Sequence, residues 1–181
     1  ILALESELSR RRLPVGMQLL HSGVGKINAA MTACDAIARL KPRLIVNYGT
    51  AGALHSGVSG LLEIGSVIQR DMNAEPLAPR GVTPFAENSA EIHSGHPGAR
   101  CATGDSFVTA ADAWLKLQHA DVVDMELYAI AHVCRRSGVP WRAFKFVTDA
   151  ADESAAGHWN ERVGHGEEQF LAALESLAAV R

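Results

Sequence analysis

Short apolar runs alternate with helical patterns along most of the chain. Seven runs are typical of buried strands: 1–4, 17–21, 44–48, 62–70, 99–103, 122–123 and 141–147. Between them, apolar positions recur every three or four residues and predict helices. One helix carries the apolar stripe Ile27, Ala30, Met31, Cys34, Ile37 and Ala38. Another begins near Met125 and ends at Gly138. This alternation predicts a single three-layer α/β domain over residues 1–181.

Several local features refine this outline. The glycine-rich stretch 49–52 follows the central strand and predicts a tight loop where backbone N–H groups can approach a ligand. Thr109 and Asp112 have the spacing of a helix capping box. Prolines interrupt 71–98, so that segment is expected to be irregular. The pattern over 159–180 predicts a final amphipathic helix interrupted by two glycines, with Trp159 as a residue that could cover a site.

Composition and charge exclude several classes of function. The 181 residues are 48% hydrophobic and 20% charged, with a net charge of -3, so no nucleic-acid surface is expected. The chain has no run of 18 apolar residues, so no membrane span is expected. Three cysteines without a paired spacing are typical of a reducing compartment, so a cytoplasmic location is expected. His93 and His96 lack nearby ligands, so no metal site is predicted. Gly23 and Gly25 begin a dinucleotide fingerprint that Asn28 breaks, so no cofactor is predicted.

Three acidic residues follow three different predicted strands. Glu7, Glu126 and Asp149 would share one pocket with Phe107 and the glycine-rich stretch if those strand ends converge. Carboxylates forced together have their pKa values driven apart, so one can hold a proton while another is ionised. That pair of states suits cleavage of a glycosyl bond by a general acid and an activated water. The alternative is that each acid only begins a solvated helical turn.

Six motifs carry a resemblance to a known family. In chain order they are Ala3-Leu4-Glu5-Ser6-Glu7, Ser22-Gly23-Val24-Gly25-Lys26, Asn47-Tyr48-Gly49-Thr50-Ala51-Gly52, Gly104-Asp105-Ser106-Phe107-Val108, Val123-Asp124-Met125-Glu126 continuing through Ala131-His132-Val133-Cys134, and Thr148-Asp149-Ala150-Ala151-Asp152. Together they resemble the nucleoside phosphorylase superfamily, most of all its 5′-methylthioadenosine/S-adenosylhomocysteine nucleosidases. The resemblance implies a mixed central β-sheet flanked by helices. It also implies a purine nucleoside as the bound small molecule, a homodimer and no cofactor.

The resemblance implies a role for each of the three acids. Glu7 matches the residue that activates the attacking water, and Glu126 matches the carboxylate that binds the ribose 2′- and 3′-hydroxyls. Asp149 matches the acid that protonates the purine at N7. These roles require Asp149 to hold a proton near neutral pH, through burial or a neighbouring negative charge. They require Glu126 to be ionised, because it accepts two hydroxyl hydrogen bonds.

The resemblance also implies a set of substrate-binding residues. They are Thr50, Ala51, Gly52, Phe107, Val108, Asp124, Met125 and Thr148. In the family, the Phe107 ring stacks on the base and the Val108 backbone binds the base edge. Met125 packs against the sugar, and Thr148 orients Asp149.

The sequence favours hydrolysis over phosphorolysis. Related phosphorylases hold phosphate with arginine, and Asn47 occupies one of those positions here. Glu7 lies where phosphate-using relatives have a glycine–arginine element, and a carboxylate repels an anionic nucleophile but not neutral water. The expected reaction is release of adenine from 5′-methylthioadenosine, S-adenosylhomocysteine or a related adenosyl compound. A phosphate-dependent purine nucleoside phosphorylase and a non-catalytic nucleoside-binding module are the alternatives.

Overall fold

The computed structural model describes residues 1–8, 13–86, 90–110, 112–150 and 164–179. Six strands in these ranges form a mixed sheet: Ile45–Ala53 (β1), Leu61–Gln69 (β2), Glu91–His93 (β3), Ala99–Thr103 (β4), Val122–Asp124 (β5) and Trp141–Asp149 (β6). The α-helices of the same ranges are Lys26–Leu40 (α1), Ala113–Leu117 (α2), Leu127–Ser137 (α3) and Glu167–Ala179 (α4). A single 3-10 turn spans Glu5–Glu7.

The sheet consists of two parallel groups that meet at two antiparallel junctions, β1–β5 and β2–β6, and β3 pairs antiparallel with β2 at one edge. Its strand order is β3-β2-β4-β5-β1-β6, and β2 also pairs with β6, so the sheet curls back on itself. β2, β4 and β5 are parallel to one another, and β1 is parallel to β6. β1 and β5 are antiparallel and pair only at Gly52–Val123 and Ala53–Val122. The carboxyl ends of both parallel groups therefore meet beside that junction, where ligands of α/β sheets usually bind.

Alternating side chains along the strands fill two opposite layers. Val67, Cys101 and Val122 pack against α1 and α3 on one face of the sheet. Their immediate neighbours Ile68, Ala102 and Val123 face the other side and pack against Leu115 of α2, because successive strand side chains point to opposite faces. On that second side α4 packs on β1 and β6, with the Phe170 ring stacked 4.0 Å from that of Tyr48. The expected α/β fold with a central sheet flanked by helices is confirmed.

The buried face of α1 differs from the predicted apolar stripe. Ala29, Ala33 and Ala36 are buried, whereas Ile27 and Met31 are 75% and 65% exposed. α1 lies against α3, and small side chains allow that close approach, so the alanines face inward. Ile27 and Met31 therefore remain on the described surface, whereas Ile37 packs partly buried against the core.

The predicted strand at residues 1–4 is wrong. Leu2 forms one isolated bridge to His21, and no ladder continues from it within the described chain. The N–H groups of Ala3 and Leu4 instead donate to the carboxylate of Glu7, which the 3-10 turn brings back toward them. Donors used in this way are not available to a neighbouring strand.

Two further local predictions are corrected by the structure. The stretch 49–52 is not a loop but the second half of β1, because β6 pairs alongside it through Ala51–Val147 and Gly52–Asp149. The helix near Trp114 is capped by Asp112 and not by Thr109: the Asp112 carboxylate accepts the N–H of Trp114 at 2.9 Å.

The end of α3 is confirmed, since Gly138 caps it in the left-handed conformation with φ of 66°. The predicted tail helix is present from Glu167 onward, but Trp159 lies outside the described residues. The extent of one domain over 1–181 stays a prediction.

Candidate active site

All eleven residues predicted for the site line one cavity of about 240 Å³ beside the β1–β5 junction. They are Glu7, Thr50, Ala51, Gly52, Phe107, Val108, Asp124, Met125, Glu126, Thr148 and Asp149. The other lining residues are Ala3, Leu4, Val24, Arg70, Ser106 and Val123. Seven chain segments thus contribute to one concave surface, which is apolar apart from a few converging polar groups, as expected of a small-molecule site.

Glu7 is fixed at the floor of the cavity by hydrogen bonds to both of its oxygens. Oε2 accepts the N–H groups of Ala3 at 3.1 Å and Leu4 at 2.9 Å. Oε1 accepts the N–H of Thr50 at 3.0 Å and its hydroxyl at 3.4 Å. Only 4% of Glu7 is exposed. The carboxylate is therefore pre-positioned against β1 and does not need to reorganise when a ligand enters.

The surroundings of Gly49 explain why β1 contains a glycine at this position. A Cβ atom there would lie 3.0 Å from Oε1 of Glu7 and 3.3 Å from Nζ of Lys145. Both are functional ends of buried side chains, so a larger residue at position 49 would displace one of them. The glycine lets the charged ends of Glu7 and Lys145 approach the strand closely. The neighbouring Thr50 N–H donates to Glu7 as described above.

Asp124 and Lys145 form a buried ion pair beneath the cavity. Nζ of Lys145 lies 2.7 Å from Oδ2 of Asp124, and both side chains are at most 1% exposed. Thr103 donates its hydroxyl to Oδ1 at 2.5 Å, and the Leu127 N–H donates to Oδ2 at 2.8 Å. Asp124 lines the cavity as predicted, but protein groups bind both of its oxygens. We therefore assign it to positioning the start of α3 and the adjacent Glu126.

The charges of this pair are mutually stabilised. Burial alone raises the pKa of Asp124, but the Lys145 ammonium and the hydrogen bonds more than offset it and leave that pKa below its ordinary value. Burial lowers the pKa of Lys145, whereas the carboxylates of Asp124 and Glu126 raise it above its ordinary value. Both groups are accordingly ionised at neutral pH, and each is the counter-charge of the other.

Glu126 is the carboxyl group whose ionisation differs most from expectation. Burial, followed by the negative charge of Asp124, raises the pKa of Glu126 to about 7. Its Oε1 accepts the Gly25 N–H at 2.9 Å, which partly favours the anion. Binding of the ribose hydroxyls requires Glu126 to be ionised, whereas burial and the negative charge of Asp124 favour its protonated form. A ligand that donates hydrogen bonds to it would complete its ionisation.

Asp149 is the last residue of β6 and is 9% exposed. The hydroxyl of the fully buried Thr148 donates to Oδ2 of Asp149 at 2.8 Å. This contact fixes the orientation of the Asp149 carboxyl group, as the resemblance implied for Thr148.

Arg70 supports the cavity wall that contains Ser106, and it was not predicted from the sequence as a site residue. It is 6% exposed and is the only cationic residue among the described residues that line the cavity. Its guanidinium donates to the carbonyl of Gly104 at 2.9 Å and to the carbonyl and hydroxyl of Ser106. Arg70 thus holds the loop that presents Val108 and Phe107, whose ring is 53% exposed at the cavity mouth.

Two signals in the sequence could have revealed the missed residues. Lys145 interrupts an apolar strand, and a lysine at such a position requires a buried partner. Arg70 follows the strand β2 in the same way as the three acids follow theirs. Neither signal identifies the partner, because Asp124 is 21 residues from Lys145 and Gly104 is 34 residues from Arg70.

The described ranges lack two features, a metal-binding cluster and a helix that could span a membrane. Those ranges contain no group of three histidine, cysteine, aspartate or glutamate side chains that could hold a metal ion. None of their helices has the length and apolar character needed to cross a bilayer.

Comparison with known proteins identifies the family. A family model described as the phosphorylase superfamily matches residues 15–179. The chain belongs to this superfamily. A 5′-methylthioadenosine/S-adenosylhomocysteine nucleosidase of Staphylococcus haemolyticus is 28% identical to it, over 90% of this chain and 81% of that protein. The protein is therefore an enzyme, and its named relative is an N-glycosyl hydrolase.

Solved structures of other superfamily members share the fold. The Streptococcus pneumoniae nucleosidase with the transition-state inhibitor MT-ImmA matches with a TM-score of 0.81 and 20% identity, over 97% of both chains. The Helicobacter pylori MTAN-D198N mutant with 5′-methylthioadenosine in its active site gives 0.79 and 21%, over 89% of this chain and 79% of that one. The futalosine hydrolase of Helicobacter pylori gives 0.80 and 22%, over 89% and 78%.

Proposed function

We propose that this enzyme hydrolyses the N-glycosidic bond of a purine nucleoside and releases the free base. The observation that carries the proposal is the meeting of Glu7, Glu126 and Asp149 in one cavity. Each is buried, and each is fixed by different neighbours. A site that only bound nucleosides would need the ribose carboxylate and the aromatic wall, but not two further acids.

The three acids divide the reaction between them. Glu7 accepts a proton from water as the water oxygen bonds to C1′ of the ribose. The C1′–N9 bond breaks, its electron pair passes to the purine, and Asp149 supplies a proton to N7. Glu126 accepts hydrogen bonds from the ribose hydroxyls and holds the sugar while positive charge develops at C1′. Phe107, Val108 and Met125 complete the contacts to the base and sugar.

Water is favoured over phosphate as the nucleophile. Arg70 is the cation that lines the described cavity, and both terminal nitrogens of its guanidinium already donate to Gly104 and Ser106. Asn47 replaces the phosphate-binding arginine of related phosphorylases, and its amide donates to the carbonyl of Ile1. A phosphate beside Glu7 would therefore meet a fixed carboxylate without an available guanidinium.

The relatives indicate an adenosyl compound as the substrate. The similar proteins named above include nucleosidases for 5′-methylthioadenosine and S-adenosylhomocysteine and a hydrolase for futalosine. We infer that this enzyme acts on 5′-methylthioadenosine, S-adenosylhomocysteine or a related adenosyl compound and releases adenine.

The deciding experiment is an assay of base release with and without phosphate. The substrates would be 5′-methylthioadenosine, S-adenosylhomocysteine, futalosine, adenosine and inosine. We expect base release at the same rate in both conditions from at least one adenosyl compound. Strict dependence on phosphate would instead identify a phosphorylase, and binding without release from any substrate would identify a binding module.

The pH dependence of binding should follow Glu126. Its ionised form accepts two ribose hydroxyls, whereas its protonated form cannot, so a bound ribonucleoside analogue lowers its pKa from about 7. As the pH rises toward 7, we expect the dissociation constant to fall by up to about tenfold per pH unit. Above pH 7 it should level off. Calorimetry between about pH 6 and pH 8 measures both the affinity and the proton released. The Glu126→Gln variant should give a weak affinity with no such slope, and an equal slope in that variant would contradict the assignment.

Two expectations from the sequence stay predictions. The homodimer is compatible with the exposed apolar side chains of α1, Ile27 and Met31, which lie beyond the cavity-lining Val24. The cytoplasmic location is expected from the unpaired spacing of the three cysteines.

A further inference from the structure

Three segments of the cavity wall are joined by a cluster of opposite charges, formed by Lys26, Asp71 and Asp105. The Lys26 ammonium lies 2.5 Å from Oδ1 of Asp71 and 3.9 Å from Oδ2 of Asp105. These residues belong respectively to the start of α1, the end of β2 and the loop that follows β4. The proposed mechanism uses none of them.

The cluster binds backbone atoms as well as side chains. Oδ1 of Asp105 accepts the Lys26 N–H at 2.8 Å, and the Asp105 N–H donates to Oδ2 of Asp71 at 2.9 Å. Gly25 precedes Lys26 with φ of 96°, and a Cβ on it would lie 3.2 Å from Oδ1 of Asp105. The Asp105 carboxylate therefore sets the position of the turn that begins α1.

That turn is in direct contact with the proposed ribose carboxylate. The Gly25 N–H donates to Oε1 of Glu126 at 2.9 Å. Asp105 thus lies one peptide unit away from a hydrogen bond that orients Glu126. On its other side, Asp105 is followed by Ser106 and Phe107 of the base-binding wall. One side chain connects the sugar side of the cavity with its base side.

We propose that Asp105 is a positioning residue that sets the selectivity of the site for a ribose diol. It holds the Gly25 N–H against Glu126, so that the Glu126 carboxylate meets both hydroxyls. The inference rests on the proposed function. The Asp105 and Asp71 side chains are 43% and 28% exposed, and ion pairs of that exposure contribute little to stability. The role of the cluster is therefore geometric.

The test compares a purine ribonucleoside with its 3′-deoxy analogue. We expect Asp105→Ala to reduce the kcat/KM ratio of the two substrates by about tenfold, because it weakens one hydrogen bond made with a charged group. Most of the change should lie in KM for the ribonucleoside, with the 3′-deoxy analogue little affected. Asp105→Asn keeps an oxygen acceptor for the Lys26 N–H and should retain most of the ratio.

A matched control comes from the same helix. Asp35 forms an exposed ion pair with Arg39 on α1. The Asp35→Ala variant should leave kcat/KM unchanged for both substrates. Equal losses on both substrates in Asp105→Ala would overturn the positioning role, since a general structural defect does not discriminate between hydroxyls. An unchanged ratio would overturn it as well.

The outcomes separate this inference from the proposed function. If the wild-type enzyme cleaves no nucleoside, hydrolysis is wrong, and equilibrium binding of the same two nucleosides then measures the ratio. A wild-type preference for the diol that survives Asp105→Ala contradicts the positioning role alone. A wild-type protein that neither cleaves nor binds either nucleoside contradicts both.

Discussion

Asp149→Asn should lower kcat by about 100- to 10,000-fold while leaving nucleoside affinity within about threefold of the wild type. The amide has the same shape as the carboxyl group and can still accept the Thr148 hydroxyl, which lies 2.8 Å from Oδ2. It cannot give a proton to N7 of the purine, so the base must depart as a poor leaving group. Steady-state kinetics and calorimetric binding of the substrate measure the two quantities separately.

The choice of leaving group makes this prediction specific to proton donation. A 4-nitrophenyl riboside releases a phenolate that needs no protonation near neutral pH. If Asp149 is the general acid, Asn at that position should slow its cleavage far less than that of the purine nucleoside. Comparable losses on both substrates would mean that Asp149 acts in some other way, for example by shaping the cavity.

Lys145→Met should lower the free energy of unfolding by about 3–5 kcal/mol, because it leaves Asp124 as a buried charge without its cation. For a chain of this length, that corresponds to a decrease of about 6–20 °C in the melting temperature. Methionine fits the volume of the lysine stem, so the loss reflects charge more than packing. Chemical denaturation followed by circular dichroism provides the measurement.

Two further variants isolate the ion pair from other effects. In Lys145→Met combined with Asp124→Asn, the unpaired charge is removed as well, so part of the lost stability should return. Arg39→Met removes an exposed cation from α1 and should change stability by no more than about 0.5 kcal/mol. A Lys145→Met protein as stable as the Arg39→Met protein would show that Asp124 does not depend on this lysine.

The predicted site was recovered because its chemistry depends on polar residues at strand ends. Glu126 and Asp149 lie where β5 and β6 end, and the meeting of such strand ends brings them together. Glu7 reaches the same cavity from the 3-10 turn and not from a strand. Family motifs then supplied a role for each residue, which spacing alone does not. All eleven residues lie in one cavity.

Residues 1–4 have the composition of a strand, but a short-range contact prevents it, because the Glu7 carboxylate takes the N–H groups of Ala3 and Leu4. The other parts that could not be predicted depend on long-range pairing. The glycines at 49–52 suggest a loop, but pairing with β6 keeps them extended. On α1, a short-range pattern favoured burial of Ile27 and Met31, whereas close approach of α3 selected the alanine face. Local sequence does not contain these partners.

The raised pKa of Glu126 has a consequence for the lifetime of the protein. Between pH 4.5, its ordinary pKa, and about 7, its pKa in the folded state, the unfolded chain ionises this group while the folded chain retains the proton. Stability therefore falls as pH rises through that window, by roughly 3 kcal/mol in all. A nucleoside that donates hydrogen bonds to Glu126 returns that stability. At neutral pH the enzyme should thus resist proteolysis when its substrate is abundant and be degraded faster when it is scarce.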